Sequence, residues 1–216
     1  MKIQLFEIGE FANRIGDMIS KELETDRVKV ENNSLEKLPV RHDADLYMVI
    51  SEHLCVDLCK YIDNISHNYK KCFLPIVIDH PYLTVGPFVQ YSQGACYHCY
   101  YGRFMQHNPA PHVTRALEKH YRECIGKGPK GYHPLDAAIV SNWLIYSAKN
   151  SFNHFQGKLW RMNLVSRESV TSKVIGIHGC KRCGSKKDEK TRSYFALLNR
   201  LIGSYQEEEE YCESIK

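Results

Sequence analysis

Two cysteine pairs, separated by eighty residues, constrain this chain more than any other feature of its sequence. Cys96 and Cys99 form one Cys-x-x-Cys motif, and Cys180 and Cys183 form the other. A turn of this kind presents two thiolates to one metal ion, and Zn²⁺ prefers four such ligands in a tetrahedral arrangement. We therefore expect the fold to bring the two pairs together and to bind one zinc ion per chain through these four residues.

The cysteine count argues against a framework of disulfides. The chain has nine cysteines, an odd number, and its N-terminal segment reaches Glu7 and Glu10 too early for a secretory signal. In a reducing compartment, paired cysteines more often bind metal than form disulfides. A redox function of either pair is the alternative interpretation of the same spacing. Four sulfur ligands leave no open coordination position, so the expected zinc is structural rather than catalytic.

The composition is that of an ordinary globular chain and does not require a charged partner. Of the 216 residues, 43% are apolar and 25% are charged, which suits one domain with a sizeable core. The net charge of +4 does not demand nucleic acid or an anionic membrane, and no apolar run approaches the roughly 18 residues of a membrane span. We expect a cytoplasmic protein with no nucleic-acid or membrane partner. A single domain is predicted over residues 1–203, followed by an acidic, flexible tail over residues 204–216.

The first half of the chain alternates short apolar strands with amphipathic helices. Strands are predicted at Ile3–Phe6, Val28–Val30, Ala44–Ile50 and Cys72–Ile78, with helices at Phe11–Leu23 and Leu54–Tyr69. Apolar strands connected through helices are typical of a parallel sheet that is covered on both faces. The first half therefore predicts an α/β fold with a mostly parallel sheet.

The second half is less regular. A strand is predicted at Leu83–Phe88, helices at Thr114–Cys124, Leu135–Phe155 and Ser193–Ile202, and two further strands at Lys158–Leu164 and Ser172–Ile177. The apolar side of the longest helix is expected to comprise Leu135, Ala138, Ile139, Asn142, Trp143, Ile145 and Tyr146. Several aromatic residues flank the first cysteine pair and are expected to pack around the metal site or to form a partner interface: Phe88, Tyr91, Tyr97, Tyr100, Tyr101 and Phe104.

Several short motifs occur in the order found in a known family. Residues 85–89 read Val-Gly-Pro-Phe-Val, residues 95–99 read Ala-Cys-Tyr-His-Cys, and Arg103 follows them. The second cysteine pair lies in residues 178–184, His-Gly-Cys-Lys-Arg-Cys-Gly. Across residues 3–184 the chain resembles the ThiF-like proteins, which are similar to ubiquitin-activating enzymes. Among these it most resembles the ThiF-like partners of YcaO cyclodehydratases.

This resemblance implies both a fold and a function. The implied fold is a ThiF-like, Rossmann-type α/β domain whose C-terminal portion is stapled by the four-cysteine zinc site. The implied function is that of a non-catalytic scaffold or activator subunit for a YcaO-type cyclodehydratase. Such complexes form azolines in the biosynthesis of thiazole- and oxazole-modified ribosomal peptides (RiPPs), including bacteriocins and microcins. The implied partners are the YcaO subunit, the precursor peptide through the complex, and a second ThiF-like chain in a homodimer or heterodimer.

The chain departs from this family at the nucleotide loop. The Gly-x-Gly-x-x-Gly pattern aligns with residues 7–12, Glu-Ile-Gly-Glu-Phe-Ala, so Glu7 stands in place of the first glycine. Its carboxylate is expected to repel phosphate and to occupy the helix N-terminus itself. Residues 51–54, Ser-Glu-His-Leu, offer no clear equivalent of the Asp that holds magnesium. We therefore assign no catalytic or nucleotide-binding residue to this chain and expect ATP and Mg²⁺ on the partner.

Two other functions stay open at this point. One is a divergent ATP-dependent adenylating enzyme, and the other is a zinc-containing protein-interaction module outside peptide biosynthesis. Proteins of this family usually carry an N-terminal winged-helix domain that binds the leader peptide, whereas the predicted sheet here begins at Ile3. We expect this chain to lack that domain, so that another chain or an edge strand would bind the leader.

Overall fold

A computed structural model describes residues 1–31, 35–91, 93–124, 128–129 and 131–184 of the chain. The predicted helix Ser193–Ile202, the predicted domain end at residue 203 and the predicted tail at 204–216 lie outside these described residues. Within the described part, the chain forms seven strands, five α-helices and a short 3₁₀ turn at Leu35–Lys37.

The seven strands form one sheet whose parallel part continues into an antiparallel part. They are β1 (Ile3–Ile8), β2 (Thr25–Lys29), β3 (Leu46–Ser51), β4 (Cys72–Asp79), β5 (Tyr82–Val85), β6 (Lys158–Asn163) and β7 (Ser169–Lys173). Their order across the sheet is β2-β1-β3-β4-β5-β6-β7. The first four strands in this order run parallel, and β5, β6 and β7 are added antiparallel. The predicted α/β class is confirmed, with a sheet that is mixed as a whole.

Helices cover both faces of the sheet, which explains why every residue of β1 and β3 is buried. The helices are α1 (Gly9–Ile19), α2 (Val56–Asn68), α3 (Tyr97–His107), α4 (Pro111–Glu123) and α5 (Pro134–Lys149). Helices α1 and α5 contribute to one core cluster, and α2 and α3 contribute to the cluster on the opposite face. None of the helices in the described part of the chain combines the length and apolarity needed to cross a bilayer.

The longest helix ends earlier than predicted and buries a different side. Helix α5 stops at Lys149 rather than Phe155, because Ser151 and Phe152 both adopt a φ of 53°. Its buried residues are Asp136, Ala137, Val140, Ser141, Leu144, Ser147 and Ala148. By contrast, Leu135 is 54% exposed and Tyr146 is 66% exposed. The predicted side was wrong because this helix is apolar on nearly every side, so packing against α1 selects the buried face instead of the sequence pattern.

The second strand of the C-terminal hairpin begins three residues before the predicted position and ends at Lys173 instead of Ile177. The turn closes early because the side chain of Asn163 accepts hydrogen bonds from the backbone N–H groups of Val165 (2.9 Å) and Ser166 (3.2 Å). Arg167 then adopts a left-handed φ of 65°. Asparagine favours turns through this local hydrogen bonding, which a search for alternating apolar residues does not detect.

The buried side of α5 can be tested with two substitutions on the same helix. Leu144 is fully buried, whereas Tyr146 is largely exposed. We expect Leu144→Ala to lower the free energy of unfolding by about 3 kcal/mol, because it leaves a cavity in the core. Tyr146→Ala should change it by less than about 0.5 kcal/mol. Urea denaturation of both variants measures the difference, and equal losses would contradict the observed helix orientation.

Candidate metal centre

The four cysteines of the two motifs converge on one point. The Sγ atom of Cys96 lies 3.7 Å from those of both Cys99 and Cys180, and the Sγ atom of Cys99 lies 3.6 Å from that of Cys183. All four sulfur atoms lie within 4.8 Å of one another. A tetrahedron with zinc–sulfur bonds of about 2.3 Å has sulfur–sulfur edges of about 3.8 Å. The cluster therefore has the ligand type and the spacing that can hold a metal ion.

Helix α3 positions the first pair of thiols. Cys96 is the N-cap residue of α3, and Cys99 lies in its first turn. Residues three apart on a helix share one side, so both sulfur atoms point the same way. Both residues are buried, at 1% and 0% exposure. The positive end of the helix dipole also lies beside these sulfur atoms and favours their thiolate form.

A tight turn after β7 positions the second pair. Gly179 and Gly184 flank Cys180 and Cys183, and both glycines adopt left-handed φ values of 64° and 57°. The backbone N–H of Gly184 donates to the carbonyl oxygen of Cys180 at 2.8 Å. These backbone conformations fold the segment back on itself, and glycine adopts them at little cost. The turn therefore presents both thiols towards α3.

The four thiols interact through the protons that they share. A metal ion bound among them would take the place of these protons. Hydrogen bonds from the thiols of Cys96 and Cys99 lower the pKa of Cys183. The hydrogen bond with Cys183 raises the pKa of Cys96, and the same partner raises the pKa of Cys99 to about 12. The backbone N–H of Ile177 also donates to the Sγ atom of Cys99 at 3.3 Å. Only a cation would allow all four thiols to ionise together at such short distances.

A buried ion pair ties the second cysteine turn to helix α2. The Nη2 atom of Arg182 donates to the backbone oxygen of Asp63 at 2.7 Å and to its Oδ1 atom at 3.0 Å. The side chains are 10% and 0% exposed. Burial raises the pKa of Asp63 to about 6, although the charge of Arg182 lowers it. Sequence reasoning missed this pair because its members lie 119 residues apart and follow no known spacing.

The N-terminus of α1, where the related nucleotide loop would bind phosphate, is occupied by a side chain of this protein. The Oε2 atom of Glu52 accepts hydrogen bonds from the backbone N–H groups of Glu10 (2.8 Å) and Phe11 (3.4 Å). Gly9 has a φ of +86°, and a Cβ atom there would lie 1.9 Å from Cδ of Glu52. The helix N-terminus is an anion-binding position, and Glu52 supplies that anion internally.

The expectation that Glu7 occupies this helix N-terminus is wrong. Glu7 lies within β1 and is only 3% exposed, and its Oε1 atom is 2.8 Å from the Nε atom of Arg27. Gly16 leaves room for this pair, because a Cβ atom there would lie 2.0 Å from Oε1 of Glu7. Burial raises the pKa of Glu7, opposed by the hydrogen bond from Arg27. The strand continues one residue beyond Glu7, so its side chain points away from the helix N-terminus.

The cleft beside this helix end is acidic. It has a volume of about 340 Å³ and lies where β1, β2 and β3 end. Its lining residues are Glu7, Gly9, Glu10, Asn13, Lys29, Val30, Glu31, Glu52 and Gly131. Among the described lining residues there are four carboxyl groups, of which that of Glu7 is paired with Arg27, and one ammonium group, a balance that disfavours a polyanion such as a nucleoside triphosphate. The cleft keeps the location of a nucleotide site without the charge that phosphates require.

Of the six aromatic residues near the first cysteine pair, two are buried, three are half-buried and one is exposed. Phe88 and Tyr97 are each 4% exposed, so these two residues pack in the core and do not form a partner interface. Phe88 stacks on Phe152 with ring centroids 4.7 Å apart, and Tyr97 meets Phe73 edge-on at 5.9 Å. Of the predicted set, Tyr91 is 37% exposed. Tyr97, with Tyr100 and Tyr101, therefore packs in the core cluster that contains the cysteines, whereas Phe88 packs in the cluster on the opposite face of the sheet.

No sequence-family model matches the chain, and no curated protein matches it significantly. Solved structures do share its fold. The heterocyclase TruD matches 89% of this chain and 29% of its own length, with 12% identity and a TM-score of 0.58. The E. coli microcin synthetase McbBCD complex contains a chain that matches 83% of this one and 67% of its own length, with 10% identity and a TM-score of 0.60.

A third similar structure is the microcin C7 biosynthetic enzyme MccB in complex with N-formylated MccA. It matches 85% of this chain and 67% of its own length, with 9% identity and a TM-score of 0.58. The present chain therefore spans less than a third of TruD and about two thirds of the other two proteins. At these identities the likeness establishes a common fold, in agreement with the α/β class that the sequence predicts.

The metal centre predicts a difference between cysteines inside and outside the cluster. We expect elemental analysis of the purified protein to find one zinc per chain. The Cys183→Ser variant should bind no zinc and should give a much lower yield of soluble protein, because structural zinc contributes on the order of 10 kcal/mol of folding free energy. Cys124, at the end of α4, lies outside the cluster, so the Cys124→Ser variant should keep its zinc and its yield of soluble protein. Soluble wild-type protein without zinc would contradict the site.

Proposed function

We propose that this chain is a zinc-containing scaffold subunit that binds and activates a YcaO-type cyclodehydratase acting on a ribosomal peptide. The partner would supply ATP, Mg²⁺ and the reacting groups, and this chain would supply no catalytic residue. The precursor peptide would contact this chain within the complex. A second copy of the chain, or another ThiF-like chain, would complete the assembly that the sequence resemblance implies.

The observation that carries this proposal is the internal carboxylate at the N-terminus of α1. An adenylating enzyme of this fold needs the backbone N–H groups at this helix end for phosphate. In this chain Glu52 accepts hydrogen bonds from two of them, and three further carboxyl groups line the same cleft. The fold is therefore present while the N–H groups at this helix end have an internal acceptor, which supports a function in binding a partner.

The similar structures support the choice of partner. One is described as a heterocyclase and another as a microcin synthetase complex of several components. The chain shares its fold with both over more than four fifths of its length. The four-cysteine cluster supports a structural metal, because zinc bound by four thiolates has no free coordination position for chemistry. These features together favour a subunit that is stable, metal-bound and without an active site of its own.

Reconstitution with a partner tests the proposed function. The chain and a YcaO-type enzyme from the same host would be co-expressed, purified through a tag on the enzyme, and incubated with precursor peptide and ATP. We expect the chain to co-purify, and mass spectrometry to detect loss of one water per azoline only when both proteins are present. The Cys183→Ser variant should abolish both results. Equal cyclisation by the YcaO enzyme alone would contradict the scaffold function.

Nucleotide titration separates the scaffold from the adenylating alternative. Isothermal titration of Mg-ATP into the isolated chain should give no binding heat, because Glu52 already occupies the helix end that phosphate needs. Glu52→Ala is the matched variant, since it removes the carboxylate and frees the same N–H groups. Micromolar binding by the wild-type chain, or pyrophosphate exchange with a peptide acid, would favour the adenylating enzyme instead.

A further inference from the structure

A second cleft lies beside the turn between β4 and β5, and its charge is opposite to that of the acidic cleft. It is bounded by the turn between β4 and β5, the second half of α3, β6 and the segment that follows β7. Its volume is about 650 Å³, which is in the range of ligand-binding clefts. It shares no lining residue with the acidic cleft and contains none of the four cysteines.

Arg161 on β6 lines this cleft with donors that have no acceptor. Its guanidinium group makes no hydrogen bond or ion pair with any residue in the described part of the chain, and its Nε atom is buried. The Cζ atom lies 4.0 Å from the ring centroid of Tyr82 and 5.9 Å from that of Phe104. Stacking of this kind fixes the plane of the guanidinium group. The group is therefore held in place before any acceptor arrives.

Arg103 on α3 adds a second guanidinium group to the same cleft. Its terminal nitrogens donate to Oε1 of Gln106 at 3.0 Å and to the backbone oxygen of Gly176 at 3.3 Å. Both acceptors are neutral, and the Nε atom is buried without a partner among the residues described. Buried donors of this kind nearly always have an acceptor in proteins. Two guanidinium groups that form no ion pair within the described part of the chain therefore give this cleft a positive charge that suits an anionic ligand.

Among the described residues that line the cleft, Asp79 at the end of β4 has the only carboxyl group. It forms no ion pair with Arg161 within 4.0 Å, and burial raises its pKa while the charge of Arg161 lowers it. A carboxyl group in this place penalises a phosphate dianion more than a carboxylate monoanion. The cleft is also far larger than one oxyanion, and its walls include the rings of Tyr82, Tyr100 and Phe104.

We propose that this cleft binds an acidic peptide segment, with a side-chain carboxylate received by the guanidinium groups of Arg161 and Arg103. A planar guanidinium group matches a carboxylate through two parallel hydrogen bonds, which accounts for the free donors. The aromatic walls accept the apolar side chains that flank the acidic residue. This site is independent of the proposed scaffold function, because it depends only on the chemistry of the cleft.

Nuclear magnetic resonance of the arginine side chains tests this site directly. The Nε–H signal of Arg161 in a ¹⁵N-labelled sample is identified by its absence in the Arg161→Lys variant. Three probes are titrated: the peptide acetyl-Ala-Glu-Phe-Glu-Ala-amide, the same peptide with Gln in both acidic positions, and inorganic phosphate. We expect the acidic peptide to shift this signal saturably, with at least about tenfold higher affinity than either of the other probes.

Variants then assign the effect to the cleft. Arg161→Gln should weaken binding of the acidic peptide at least about tenfold, read from the backbone signals of α3. Arg41→Gln, an exposed arginine paired with Asp43 elsewhere on the chain, should not weaken it. The titration of the wild-type protein decides the matter even if a variant fails to fold. An unshifted Arg161 signal, an equal response to the Gln peptide, or tighter binding of phosphate would each overturn the proposal.

Discussion

The meeting of two cysteine turns, whose partners lie 84 residues apart, ties the segment after β7 to the start of helix α3. Helices α4 and α5 and strands β6 and β7 all lie between the two halves of the cluster. Closing a chain segment of this length costs about 4 to 5 kcal/mol in conformational entropy. Hydrogen bonds among four thiols offset little of that cost, whereas the free energy of binding a metal ion would exceed it. The buried pair of Arg182 and Asp63 adds a second, metal-independent attachment at the same place.

The N-terminus of α1 shows how a ligand site can be replaced by internal contacts. Glu52 satisfies the N–H groups that an external phosphate would otherwise satisfy. The pair of Glu7 and Arg27 fills the neighbouring space beneath Gly16. The end of the parallel sheet is therefore stable without any nucleotide. The surfaces to which we assign functions lie elsewhere, at the cysteine cluster and at the cleft between α3 and β6.

The sequence predicts those parts of the structure that depend on local patterns. The parallel strands follow from continuous apolar runs, and the four metal-ligating candidates follow from two Cys-x-x-Cys spacings. The buried side of α5 could not be predicted, because Leu135 and Tyr146 are as apolar as the residues that are buried. The choice between Glu7 and Glu52 depends on where β1 ends, and a shift of one residue reverses the direction of a side chain. The pairing of Arg182 with Asp63 depends on tertiary structure alone.

Gly9 and Glu52 differ in how strictly the structure limits the residues that each position can accept. Any side chain at position 9 would collide with the carboxylate and would also have to adopt a φ of +86°. Loss of the carboxylate at position 52 removes the collision but leaves the backbone conformation unchanged, so position 9 still requires glycine. Position 52, by contrast, accepts any residue that leaves the helix end satisfied by a side chain or by water. In proteins that descend from this sequence, we expect the glycine to be kept longer than the glutamate. A glycine kept at this turn therefore reflects the backbone conformation and does not indicate nucleotide binding.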